Sequence, residues 1–247
     1  MIKQLDLGSA LAVRLTKITG KSRVPIHPKH LLTQKPWFIT YLKKSDVVLD
    51  LGCGSGQNAI KASRIANRVV ACDFDKELLN IAEEEAKLKK INNIKFEIVN
   101  LEERLKYRNN SFSSIIFLDV LEHLKNRDEI LSGIKRVLKP DGLLFLGVPN
   151  SQTSWKKLQR SSGVCSFSDP DHKVEFTQKQ IESLLEKFGF KIIHFGYSSF
   201  DTPLRGLIDI IGGFSLTAYK FLTYLRIEAG QKNPQETSGF QIVAQNV

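Results

Sequence analysis

Cysteine is scarce in this chain, with three in 247 residues. Cys53 sits in a glycine-rich stretch, Cys72 in an apolar run and Cys165 in a polar one, and no pair has the spacing of a metal site or a disulfide framework. A reducing compartment follows. There is no charge-free run of about eighteen apolar residues, so a spanning helix is not expected. Near the N-terminus Asp6 and Arg14 interrupt short apolar stretches, which argues against a signal-peptide core. These absences together point to a cytoplasmic protein. Also missing is any basic run interleaved with aromatics, or a recognisable RNA module. The net charge of +10 therefore reads mainly as solvated helix faces, with lysines scattered as in Lys87-Lys89-Lys90 and Lys156-Lys157, and attraction to an acidic acceptor as the smaller share.

What is present is enough apolar material for one large α/β domain, 42% of the chain. The organising stretch is Val47-Val48-Leu49-Asp50-Leu51-Gly52-Cys53-Gly54-Ser55-Gly56-Gln57. Its branched apolar run reads as a buried strand, and a helical pattern begins near Asn58. Glycines at alternating positions permit backbone conformations barred to other residues and let a ligand lie on the main chain, next to the free N–H groups of a helix start. A second strand, Arg68 to Cys72, leads to Asp73, about twenty positions past the glycines, where doubly wound folds hold a ribose. Gly52-x-Gly54-x-Gly56 is not the G-x-G-x-x-G of dinucleotide folds, which makes an NAD-binding oxidoreductase the competitor rather than the choice.

Further strands are expected at Ile94–Asn100, Ser113–Leu118 and Leu143–Asn150, with Asp119-Val120-Leu121-Glu122-His123 after the second of these and Val137-Leu138-Lys139-Pro140-Asp141-Gly142 before the third. In this order the motifs resemble those of class I S-adenosylmethionine (SAM)-dependent methyltransferases over residues 46 to 150. Their wording is most similar to the small-molecule branch that includes the ubiquinone-biosynthesis O-methyltransferases. The resemblance implies a Rossmann-like, seven-stranded, mostly parallel sheet with one antiparallel edge strand, and SAM as cofactor. It implies that Asp50 fixes the loop and the donor's amino-acid end, that Gly52, Cys53 and Gly54 lie under the donor, that Asp73 accepts from the ribose and that Phe74 packs on the adenine. Asn100 and Leu101 stand where the family often has an acidic residue meeting the adenine, and Asp119 and Val120 lie along the donor.

His123 and His172 are the candidate proton acceptors, since imidazole titrates near neutral pH. In the ubiquinone-pathway relatives an acidic residue with E-H has been associated with a divalent metal. Asp119, Glu122 and His123 could mimic it, but the favoured reading here is a loop-tying role and no metal. His27 and His30 read as surface histidines.

The expected organisation is a single domain with core segments 37–150, 172–198 and 238–247. Lid segments at 1–36, 151–171 and 199–236 complete it, the second of them a long loop. Leu204, Leu207, Ile208, Ile211, Ala218, Leu222 and Leu225 recur at helical spacing, with Gly212-Gly213 as a break. They read as paired helices, or as an apolar surface at 204–226 for a lipid-like acceptor, a membrane interface or a dimer partner. The expected function is methyl transfer to a hydrophobic or amphipathic small molecule, with O-methylation favoured. An RNA or protein methyltransferase is the alternative, and a non-catalytic SAM-binding protein the third reading.

Overall fold

The computed structural model describes residues 36–247; the expectations for residues 1–35, including His27 and His30, lie outside them. The described residues fall into two compact units. One, within Lys35–Gln152, Cys165–Gly196 and Gly239–Val247, holds the sheet; the other comprises Thr153–Val164 and Tyr197–Ser238.

The sheet unit follows the alternation of apolar runs and amphipathic stretches. Strands β1 (Val47–Leu51), β2 (Arg68–Asp73), β3 (Ile94–Ile98), β4 (Phe112–Leu118), β5 (Leu138–Pro149), β6 (Phe190–Tyr197) and β7 (Gly239–Asn246) form one seven-stranded sheet in the order β3-β2-β1-β4-β5-β7-β6. The first five pair in parallel, and β7 runs antiparallel to β5 between it and β6. β1 is buried at all but its first residue, as a strand covered on both faces must be, and its sequence is correspondingly apolar apart from Asp50. β5 includes Lys139–Gly142, which the sequence marks as a turn. The register against β4 shifts between Phe112 and Ser114, and Asp141 there takes φ 59.

Helices α1 (Gln57–Ser63), α2 (Lys76–Leu88), α3 (Arg127–Val137) and α5 (Gln178–Lys187) belong to this unit, and α4 (Ser154–Ser161) to the other. Their starts are chemically specified. Asp75 caps α2 by accepting from the backbone N–H groups of Glu77 and Leu78, and Thr177 with Gln180 closes a capping box on α5. Beneath β1 and β5, Phe38 and Phe145 stack with ring centroids 5.6 Å apart, and Trp37 meets Phe145 edge-on at 6.1 Å. The segment from Trp37 is a short 3₁₀ turn, Trp37–Tyr41.

In the second unit the expected loop 151–171 contains α4. Thr153 caps it, accepting from the Lys156 backbone N–H; its polar composition hides a helix whose apolar positions are few. Helices α6 (Arg205–Phe214) and α7 (Leu216–Lys232) realise the paired-helix reading. The break falls at Ser215, not at Gly212-Gly213: Ser215 is extended (φ −147, ψ 111), ends α6 and caps α7 through its hydroxyl. Glycine lowers helix propensity by only about 1 kcal/mol, which packing overrides where Gly212 is buried.

Candidate functional site

The strand order reverses between β1 and β4, and open α/β sheets bind ligands at the carboxyl ends of strands beside such a switch point. β1 ends there in the glycine loop. Gly52, Gly54 and Gly56 all take left-handed φ, +73, +52 and +75. A Cβ on Gly52 would lie 2.5 Å from Val120 Cγ2, and one on Gly56 would lie 2.7 Å from Ala82 Cβ. Those two glycines are demanded by packing. Gly54 differs: a Cβ there would meet nothing within 4 Å, so its side faces open space on which a ligand can rest.

Asp73, at the end of β2, is buried and holds this loop. One carboxylate oxygen accepts from the Gly54 N–H at 2.8 Å and the other from the Asp75 N–H at 3.0 Å. The Gly52 and Cys53 N–H groups both donate to the Cys72 carbonyl at 2.9 Å. The ribose acid of the sequence reading is therefore also the residue that pins the loop, and each of its oxygens keeps a second lone pair for a hydroxyl donor. Phe74 beside it is 78% exposed, an aromatic face available for stacking. Asp50 is fully buried. Burial, opposed by a hydrogen bond with the Ala59 backbone and reinforced by Asp73, pushes its carboxyl up to about 7. Its Oδ2 has no hydrogen-bond partner among the described residues. An orphaned buried carboxylate oxygen beneath the loop is a place for an external donor. Burial and the neighbouring Asp50 push the Cys53 thiol up as well, so Cys53 serves packing and backbone geometry, not nucleophilic chemistry.

Asn100 and Leu101 follow β3. The Asn100 amide is engaged locally, accepting from the Glu102 N–H at 3.0 Å and donating to Glu103 at 3.3 Å, while Leu101 is buried. Glu102 has no role in the sequence reading. Its carboxylate accepts from the Lys125 and Asn126 N–H groups at 2.9 and 3.0 Å and ties the β3 loop to the start of α3. Asp119, at the end of β4, is exposed and takes φ 56, a conformation that costs a non-glycine residue roughly 1–3 kcal/mol and gathers at functional sites.

Beyond it, the 3₁₀ turn Leu121–His123 presents Glu122 and His123 to the segment carrying His172. The two imidazoles meet edge to face with centroids 4.7 Å apart. His172 Nδ1 lies 3.1 Å from Glu175 Oε1, and Nε2 lies 3.9 Å from Glu122 Oε1. Glu175 also accepts from the Ser168 N–H at 2.7 Å, and the Glu122 carbonyl accepts from the Lys173 and Val174 N–H groups. Burial, then the charge of Asp119, pushes the Glu122 carboxyl up to about 8, and its Oε2 has no partner among the described residues. Both candidate bases are thus brought together, and Glu175, three residues past His172, is the partner that sequence reading missed. The i, i+3 His-Glu spacing was its only signal. Glu122, His123 and His172 present ligand atoms within 4.8 Å of one another, a set that could hold a divalent cation; Asp119 is not in it.

A family described as a methyltransferase domain matches residues 42–189, more than half of the chain. The chain belongs to that family, whose cofactor is S-adenosylmethionine. It is 30% identical over 152 residues to a ubiquinone biosynthesis O-methyltransferase of Xanthomonas oryzae pv. oryzae, covering 60% of this chain and 61% of that protein. The match therefore spans about three fifths of the relative's length. Among solved structures, a SAM-dependent methyltransferase of Methanosarcina mazei superposes with a TM-score of 0.61 at 24% identity, over 87% of this chain and 99% of that one. The [4+2]-cyclase SpnF does so with a TM-score of 0.61 at 17% identity, over 98% and 94%. At these identities the likeness is one of fold.

The buried Asp50 has a pH signature. Its folded pKa, about 7, stands above the ordinary carboxyl value of 3.8, so between those values the folded chain binds a proton that the unfolded chain has lost. Stability associated with this group is full below the lower value and is lost as pH rises through the upper one, by up to about 1.4 kcal/mol per pH unit. Denaturant titrations of the wild type against Asp50→Asn from pH 4 to pH 8 should show that slope reduced in the variant.

Proposed function

We propose that the chain transfers a methyl group from S-adenosylmethionine to a hydroxyl of a hydrophobic or amphipathic small molecule. The observation that carries the donor half is the glycine loop, with Gly54 open to a ligand while Asp73, Phe74 and the orphaned oxygen of Asp50 flank it. In this reading Asp50, Gly52, Cys53 and Gly54 hold the donor's amino-acid end, Asp73 its ribose and Phe74 its adenine. Asn100, Leu101, Asp119 and Val120 border the rest. When bound, SAM supplies a methyl group already activated by its sulfonium. The protein's part is to align the acceptor with it and exclude water, an effect that can reach roughly 7–11 kcal/mol.

The acceptor half rests on His123 and His172. A hydroxyl oxygen that gains a methyl group loses a proton, and an imidazole near neutral pH can take it up. His172 Nδ1 faces Glu175 Oε1 at 3.1 Å, and with a proton held there Nε2 would be the nitrogen left to accept one. The Xanthomonas relative, named for O-methylation in ubiquinone biosynthesis, supports oxygen as the atom methylated. The net charge of +10 favours a nucleic-acid or protein acceptor as the second reading. SpnF, a cyclase by name on the same fold, is a reminder that the fold alone does not fix the reaction.

Calorimetry tests the donor half. S-adenosylhomocysteine should bind the wild type, and Asp73→Ala should weaken it by about tenfold or more, the scale of losing hydrogen bonds to a charged group. Binding of NAD with exclusion of S-adenosylhomocysteine would replace this reading with an oxidoreductase.

Incubation with methyl-labelled donor and fractionated extract tests the acceptor half. Label is expected in the organic-soluble small-molecule fraction, and His123→Ala or His172→Ala should slow its transfer by roughly 10²–10⁴-fold with donor binding retained. Label in RNA or protein would move the acceptor to those classes, and label in no fraction would favour a non-catalytic SAM-binding protein.

A further inference from the structure

The second unit shows solvent what a helix normally hides. Leu204, just before α6, and Leu207 and Ile210 on it follow helical spacing and are each 55–58% exposed, while the residues buried on α6 are Ile208 and Gly212. On α7, Phe221 is 60% and Leu225 45% exposed, while Tyr219 and Gly230 are buried. Each helix thus has a packed stripe and a second apolar stripe left in water, which is uncommon without a partner.

The charges in this unit are sorted by sign. Among its described residues the exposed charged side chains are Lys157, Arg160, Arg205, Lys220 and Lys232, all basic. The acidic ones, Asp201, Asp209, Glu228 and Glu236, are buried or half-buried. Two of them are engaged within the unit. Asp201 accepts from the Thr153 hydroxyl at 2.7 Å, and Glu236 accepts from the Ser154 N–H at 2.8 Å and its hydroxyl at 2.7 Å. Apolar stripes with an exclusively cationic exposed complement fit an anionic apolar interface.

We propose that the α6–α7 face of this unit docks on the surface of an anionic lipid bilayer, with the apolar side chains at the acyl boundary and the lysines and arginines at the headgroups. A second copy of the chain fits worse: a symmetric pairing of this face would set one group of cations against its twin with no exposed acid to offset them. No helix among the described residues is long and apolar enough to cross a membrane, so the contact lies on the bilayer and not through it. The inference stands on exposure and charge in this unit alone and does not depend on methyl transfer.

Co-sedimentation of the full chain with vesicles is the test, comparing pure phosphatidylcholine with phosphatidylcholine containing roughly a third phosphatidylglycerol. Binding to the anionic vesicles, lost at high salt, is expected, with little to the zwitterionic ones. Leu207→Glu and Phe221→Glu together should weaken it by about tenfold or more, and Lys220→Glu with Arg205→Glu should do so by a similar factor. Circular dichroism confirms that each variant is folded, and the charge-reversal pair, being on exposed side chains, gives a second route if the first pair unfolds. Absence of vesicle binding, or binding indifferent to both pairs, would overturn the proposal. So would a stable dimer in light scattering that Leu207→Glu dissociates, which would assign the face to a second copy.

Discussion

The hydrogen bond from the Gly54 N–H to the Asp73 carboxylate, 2.8 Å long, joins the glycine loop after β1 to the end of β2. A loop with three left-handed residues in five positions has little intrinsic preference for one shape. It is held at its base by the Cys72 carbonyl and at its apex by Asp73, both on β2. The acid sits at the right height because β1 and β2 pair in parallel with Leu51 opposite Cys72. Val120 and Ala82 then close the other sides, so that Gly54 alone looks outward. The loop's shape is a consequence of sheet register, and any ligand it takes inherits that register.

The electrostatics of the sheet unit have one theme. Asp50 and Glu122 are carboxyls that burial drives towards the neutral form, and both keep an oxygen without a partner among the described residues. Buried polar atoms left this way are rare, and each asks for an explanation. Asp50 lies beneath the glycine loop. Glu122 lies beside the His123–His172 pair, which Glu175 locks from the opposite side. The glycine loop and the His123–His172 pair thus each have beside them a buried carboxyl oxygen without a partner among the described residues.

Much of this was legible in the sequence, because local chemistry and fold agreed. The branched run before Gly52, the strand from Arg68 to Cys72 and the helical spacing from Leu204 to Leu225 each state their role in a few residues, and the structure repeats them. What was not legible depended on distance or on polar helices. α4 carries three basic residues, Lys156, Lys157 and Arg160, and almost no apolar stripe, so the stretch read as loop. The break between α6 and α7 followed a serine cap rather than the glycine pair, because packing around Gly212 outweighs propensity. Glu102 acts through Lys125 and Asn126, which only folding brings near, whereas Glu175 acts through His172 and Ser168, close to it along the chain. The Asp73–Asp75 contact is a local turn that an Asp favours, but the reach of the same side chain to Gly54, nineteen residues back, has no sequence signature.

The most direct measurement is a crystal structure of the chain with S-adenosylhomocysteine. The product should lie against the open side of Gly54, with its ribose at Asp73, its base at Phe74 and the Asp73–Gly54 hydrogen bond intact. Product lying away from the glycine loop, or a loop rebuilt so that Asp73 no longer reaches Gly54, would contradict the assignment of this loop as the donor site.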